Sequence, residues 1–426
     1  MREAFEYRDG QVFCEDVALD EGFVDRFGSP TYVYSKQAFL THYQALETAF
    51  GDLKPRICYS VKSCSNLAVL RILEQAGASF DVVSGGEVQR VMEAGASADR
   101  IVFAGVGKSL EDLTLALEAG IHHFNAEGPG ELERLDRLAR DRGIKARVAL
   151  RINPDVDPET HRYITTGKRE NKFGLDLEQA ARAFARADEM SGLSIEGLHV
   201  HLGSQIQSAG PYLEALERAM AFGAARRAEG HKLSFINMGG GFGIDYRTRR
   251  NRPVEEFSTA IVERLRGEDW DWQMEPGRWI SAHAGVMLTR IIEVKRSGLR
   301  RFVIVDAGMN DLIRPSLYDA HHELWPVKAA CDPRTLEELE RGERADVVGP
   351  ICETGDFLAL DRGLPEVKAN ESLIVFSAGA YGQAMASNYN SRGRPAEVLI
   401  DGAEARLVRR RERYEDMIAL ERFPEA

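Results

Sequence analysis

The chain predicts an α/β fold: a (β/α)8 barrel followed by an all-β domain. Three observations carry this. From about residue 36 to 295, eight short apolar runs alternate with amphipathic helical stretches. After about residue 296 the helical period becomes rare, and strand-like runs separated by turn residues take over. Reactive polar residues also fall at the C-terminal ends of most of these runs, where barrel enzymes place their sites.

The eight runs are Ile57–Val61, Ser79–Val83, Ile101–Ala104, His122–Asn125, Arg147–Ile152, Ile195–His201, Ser234–Met238 and Trp272–Glu275. Helical patterns lie between them over Ser65–Gly77, Gly85–Gly95, Ser109–Gly120, Gly128–Gly143 and Pro211–Gly230, each closing on glycine. Period alone does not show closure, so a doubly wound open sheet is the alternative. The later strands are expected at Phe302–Asp306, Asp346–Val348, Phe357–Asp361, Leu373–Ser377, Ala396–Asp401 and Glu404–Arg410. Gln11–Phe13 and Thr31–Tyr34 are also strand-like and are expected to join that second domain. The expected division is a barrel over 36–285 and a β-domain over 1–35 and 286–426.

At 426 residues the chain has length for two cores. A net charge of -12 argues against a general nucleic-acid or anionic-membrane binder, since both need a basic face. No run approaches a membrane span, and Met1–Glu6 is charged rather than signal-like. The five cysteines, Cys14, Cys58, Cys64, Cys331 and Cys352, are odd in number and lack zinc-type pairing. Reduced thiols, a cytoplasmic location and no metal are therefore expected.

Lys62 closes Cys58-Tyr59-Ser60-Val61-Lys62-Ser63, where a strand gives way to a polar stretch. Such an amine is either a solvated surface charge or a group that forms a Schiff base with an aldehyde cofactor. Asp81 lies on the second run, Asn125 and Glu127 at the fourth, Arg151 and Asn153 at the fifth, and His199 and His201 at the sixth. Gly239-Gly240-Gly241-Phe242-Gly243 after the seventh run is a phosphate-loop candidate, or else a flexible turn. Its position favours phosphate, which barrels commonly bind after strands seven and eight. Ser204 adds a hydroxyl. Glu275-Pro276-Gly277-Arg278 ends the eighth run. Glu275 could keep a pyridine nitrogen protonated and Arg278 could fork onto an anion, although a plain surface ion pair reads equally from these letters.

In the later half, Cys352-Glu353-Thr354-Gly355-Asp356 sets a thiol beside two acids, as a proton donor or as a solvated acidic turn. Arg314 and Tyr318, four residues apart, share a face if helical and could hold a carboxylate. Tyr381 sits in a glycine-flanked turn.

These motifs resemble the fold-type III pyridoxal-phosphate decarboxylases, the alanine racemase/ornithine decarboxylase-like group. Within it they look most like the diaminopimelate decarboxylase family. The resemblance rests on Tyr59–Lys62, Asp81–Glu87, His199–Ser204, Gly239–Gly243 and Glu275–Arg278. It extends through Glu170–Gly174, Asn310–Pro315, Cys352–Asp356 and Met385–Ser391. It implies that pyridoxal 5'-phosphate is held by Lys62, with Glu275 on its pyridine nitrogen, His201 against the ring and Asp81 near the Schiff base. Ser204, Gly241, Gly277 and Tyr381 would bind the phosphate, with Gly240 and Arg278 also lining the cofactor. Arg278, Arg314 and Tyr318 would grip a substrate carboxylate, Tyr381 would also border the substrate, and Glu353 would meet its distal amine.

Cys352, from the partner of a homodimer with shared active sites, would return a proton. The implied reaction is decarboxylation of meso-2,6-diaminopimelate to L-lysine, the last step of lysine biosynthesis. Alternatives are a sister enzyme acting on arginine, ornithine or carboxynorspermidine, a racemase, or a non-catalytic pyridoxal-phosphate-binding relative. Arg278 and Arg314 oppose the first by asking for a second carboxylate, and Glu275 opposes the racemase. Two departures from the family pattern, Lys168 within Thr165–Arg169 and Thr354, bear on substrate preference.

Overall fold

A computed structural model describes residues 3–156, 172–330 and 342–424. Cys331 and Thr165–Arg169 lie outside the described residues, and of the Glu170–Gly174 motif only Lys172–Gly174 lies within them. The chain divides into two compact units. One comprises His42–Ile244 and Asn251–Trp279; the other comprises Met1–Thr41, Asp245–Arg250 and Ile280–Ala426.

The first unit is a closed barrel of eight strands. They are Arg56–Ser60, Ser79–Val82, Ile101–Phe103, His123–Ala126, Ala146–Arg151, Leu193–His199, Phe235–Asn237 and Asp271–Met274. Each pairs in parallel with the next, and the eighth returns to the first through Gln273 opposite Arg56 and Met274 opposite Ile57. That last ladder decides for a barrel over an open sheet. The strands are apolar on both faces because one face fills the barrel and the other meets the helices.

Several of the intervening helices begin where short polar side chains, Asn66, Ser84, Ser109 and Asp176, accept a first free N–H group. Asn66 receives Ala68 N–H at 2.9 Å, and Ser109 and Asp112 form a reciprocal capping box. Gly120 and Gly143 end theirs in the left-handed conformation.

A buried ion pair braces the loops after the third and fourth strands. Lys108 Nζ donates to Glu131 Oε1 at 2.7 Å and to the carbonyls of Gly105 and Asn125 at 2.8 Å each. Both side chains are buried, so all three ammonium protons find partners away from water. The bond to the Asn125 carbonyl fixes the backbone of a residue that the candidate site uses.

The second unit is mostly strand. A nine-stranded sheet runs through Phe357–Leu364, Glu343–Val348, Arg300–Val305, Gly285–Ser297, Thr31–Ser35, Ala396–Asp401 and Glu404–Arg409, with Ser372–Val375 and Leu324–Pro326 attached. Thr31–Ser35 pairs antiparallel with Gly285–Leu288 and parallel with Ala396–Ile400, so an N-terminal strand does join this sheet. Phe5–Arg8, Gln11–Cys14 and Val17–Ala18 form a small sheet of their own. Gly285–Ser297, a strand of 13 residues, belongs to this sheet. The alternating barrel pattern expected to reach about residue 295 therefore stops before it. No helix among the described residues is long and apolar enough to cross a membrane.

Removing one partner of a buried pair strands the other charge. Lys108→Ala is therefore expected to cost about 3–5 kcal/mol, read as a lowered denaturation midpoint, whereas Arg182→Ala on the exposed Glu178 pair should change it by less than about 1 kcal/mol.

Candidate active site

The C-terminal ends of the barrel strands gather the expected groups. Lys62 lies in a single 3-10 turn, Val61–Ser63, immediately after the first strand rather than on it. Its Nζ stands 3.5 Å from Asp81 Oδ2, and its side chain remains 40% exposed while Asp81 is fully buried. Ser60 Oγ donates to the same Asp81 oxygen at 2.7 Å. Asp81 Oδ1 is buried with no hydrogen-bond partner. Burial, reinforced by the Glu275 charge, raises the Asp81 carboxyl from its usual 3.8 to about 6 against the opposing pull of Lys62.

Glu275 follows the eighth strand and is buried. Three side chains donate to its carboxylate: Asn237 at 2.7 Å and Asn125 at 3.0 Å on Oε1, and His199 Nε2 at 3.2 Å on Oε2. Burial alone would push this acid upward. The His199 partner, with the Lys62 ammonium nearby, outweighs it and holds the carboxyl far below the usual carboxylate range. An ionised carboxylate is thus maintained at the inner end of the site.

His201 follows the sixth strand, and its Nδ1 accepts the Gly240 N–H at 3.1 Å. With Nδ1 an acceptor the proton sits on Nε2, and burial with nearby Arg151 keeps the ring neutral. Gly240 and Gly241 permit the close approach of three loops. A Cβ on Gly240 would stand 2.0 Å from the Glu275 carbonyl oxygen, and one on Gly241 would stand 2.2 Å from that of Gly203. Gly277 packs on Ser60 and Ser63 in the same way. Arg278 directs Nε at 3.3 Å and Nη2 at 3.0 Å onto Ser204 Oγ, so two expected anion ligands meet.

In the β unit, Arg314–Tyr318 forms a one-turn helix, as their spacing requires for a shared face. Arg314 is buried and donates to His322 Nε2 at 2.8 Å, and its guanidinium lies 4.7 Å from the Tyr246 ring centroid. Cys352 and Glu353 are exposed, and Glu353 accepts a short hydrogen bond from the Tyr389 hydroxyl. Asp356 is buried and shapes their loop by accepting Met309 and Ile351 N–H groups at 2.6 Å each. Tyr381 adopts φ +57°, a left-handed conformation that a side chain accepts only when its surroundings enforce it.

Asn237, Ser60, His322 and the holding role of His199 escaped the sequence reading. His199 and Asn237 end strands six and seven, and that placement was the available signal.

A family model for the pyridoxal binding domain of pyridoxal-dependent decarboxylases matches residues 36–282. The chain belongs to the pyridoxal-dependent decarboxylase family. Diaminopimelate decarboxylase of Pseudomonas aeruginosa is 46% identical, with 98% of each chain covered. The solved diaminopimelate decarboxylase of M. jannaschii, in complex with L-lysine, superposes with a TM-score of 0.91 at 34% identity, covering 99% of this chain and 98% of the other. The Helicobacter pylori enzyme, also with L-lysine, gives 0.88 at 37% identity, covering 94% and 98%.

Pyridoxal phosphate is the cofactor of this family, and the barrel residues fit it. An amine faces a buried acid with an unpartnered oxygen, an ionised carboxylate awaits a protonated ring nitrogen, and a glycine loop with Ser204 and Arg278 could take a phosphate.

The raised Asp81 carboxyl makes a pH prediction for the cofactor-free decarboxylase. A folded-state pKa above the unfolded value of 3.8 adds stability below about pH 4, and this is lost as pH rises through about 6. Asp81→Asn should therefore gain on wild type across pH 4–6 and hold a constant difference above it. A difference independent of pH in urea unfolding would contradict the assignment.

Proposed function

We propose that this pyridoxal-phosphate-dependent decarboxylase acts on meso-2,6-diaminopimelate, releasing CO2 and L-lysine, and that it works as a cytoplasmic homodimer. The observation that carries the chemistry is Glu275, an ionised carboxylate buried under three donors at the barrel mouth. The full-length similarity to diaminopimelate decarboxylases supports the substrate. Among the described residues Cys14, Cys58, Cys64 and Cys352 form no disulfide, in keeping with a reducing compartment.

When bound, pyridoxal phosphate supplies a sink for the electron pair left by a departing carboxylate. The protein has to keep that sink charged, aim the leaving group and return a proton. Glu275, ionised under three donors, would keep a proton on the ring nitrogen, because an adjacent negative charge favours the cationic ring. Lys62 would hold the cofactor through its amine, with the buried Asp81 carboxyl 3.5 Å from that nitrogen. Neutral His201 would lie against the ring without adding a competing charge.

Ser204, Gly240, Gly241 and Gly277, with Arg278 beside Ser204, would take the phosphate, and Tyr381 would be a further phosphate ligand. Arg278, Arg314 and Tyr318 bind the substrate carboxylate that stays, with Tyr381 alongside, and Glu353 binds the distal amine. The His322 contact fixes Arg314 in one rotamer. Exposed Cys352 would serve the site of a second copy of the chain, where its thiol would supply the returning proton.

Purified protein supplied with cofactor should absorb visible light and release CO2 from meso-diaminopimelate. Lys62→Ala should abolish both, whereas Cys352→Ala should keep the absorption and lose about 10²–10⁴-fold in turnover. Colourless wild-type protein would sink the cofactor assignment. Release from ornithine but not diaminopimelate would overturn the substrate alone.

A further inference from the structure

The fourth barrel strand opens on His123, and His122 precedes it; the mechanism above uses neither. Side chains alternate along a strand, so His123 and Asn125 point the same way. That way is into the barrel: Asn125 reaches Glu275, and the His123 ring packs 4.8 Å from Phe235 of the seventh strand. His122 precedes the strand at the opposite end of the barrel from the glycine loop, half-buried, with Arg56, Arg147 and Asp99 as its charged neighbours.

Hydrogen-bonding valence fixes the direction of this series. Asn125 uses its NH2 on Glu275, so its Oδ1 must accept, and His123 Nε2 must donate to it at 3.1 Å. Burial keeps His123 neutral, so its Nδ1 is an acceptor. The His122 Nδ1 that faces it at 2.7 Å must then be the donor. Every proton in the chain His122, His123, Asn125 points toward the Glu275 carboxylate, and aligned donors polarise one another.

We infer that His123, backed by His122, is a positioning residue that locks the Asn125 amide in its donating orientation and thereby helps keep Glu275 ionised. The inference rests on the cofactor reading for its purpose, but its geometry belongs to the protein alone. The other groups facing Glu275 are His199 and Asn237, with Lys62, His201, Asp81 and Cys58 nearby. None of them fixes which way Asn125 points.

The test uses the cofactor-free protein first. Nitrogen-15 NMR should find His122 protonated on Nδ1 and His123 on Nε2; the reverse tautomers would overturn the inference. Carbon-13 titration of the Glu275 carboxyl should show its midpoint raised by about one unit, a tenfold change in ionisation constant, in His123→Phe. His123→Gln should stay near wild type, because its amide can accept from His122 and donate to Asn125. An unchanged midpoint in His123→Phe would overturn the proposal. Should that variant fail to fold, His122→Ala at the half-buried position decides instead: an upward shift supports the chain and no shift refutes it.

In the holoenzyme, His123→Phe should lower kcat about tenfold, the same free energy, and leave KM within twofold. A fall in KM affinity with kcat intact would contradict a role through Glu275. If wild type binds no cofactor the functional reading fails, while the cofactor-free titration still decides this one.

Discussion

A carboxylate buried at the mouth of a barrel is the constraint around which the rest of this structure is arranged. Left alone, Glu275 would take up a proton, because burial penalises its charge. It is kept ionised by donors from three different strands, at Asn125, His199 and Asn237. Those donors converge only because the eighth strand pairs back onto the first and closes the sheet. Closure of the fold and ionisation of one acid are thus the same requirement seen at two scales.

Opposite demands apply a few residues away. Asp81 is also buried, and burial with the Glu275 charge outweighs the Lys62 ammonium and the Ser60 hydroxyl, so its carboxyl rises instead of falling. Two acids in one barrel mouth with proton affinities driven apart are what general acid–base chemistry uses. One keeps a charge fixed at the sink end, and the other sits within reach of a proton near Lys62. His201, neutral and held by a backbone N–H, lies between charged groups without adding to them.

The barrel was legible because each strand is a compact apolar run bounded by helix caps, and its reactive residues stand at run ends. Gly285–Ser297 was not legible. Its first half is buried on both faces and its second half is largely exposed, so neither a two-residue alternation nor a single apolar run marks it. The two-residue strand Val17–Ala18 is too short to carry any period. Lys62, Glu275 and the glycine loop were readable from their chemistry. Their supports were not, because in a run buried on both faces the letters do not tell which side chains enter the barrel. His123 and Asn237 look like ordinary strand residues until the register shows them facing inward.

The central claim is that ionised Glu275 makes this family member a decarboxylase, and Glu275→Gln tests it most directly. The variant keeps the shape but turns one acceptor oxygen into an NH2 donor and removes the charge that would retain a proton on the ring nitrogen. Measured with saturating cofactor and meso-diaminopimelate, the account predicts retained visible absorption and CO2 release reduced by about 10²-fold or more, in keeping with the loss of a preorganised charge. Release within threefold of wild type would contradict it.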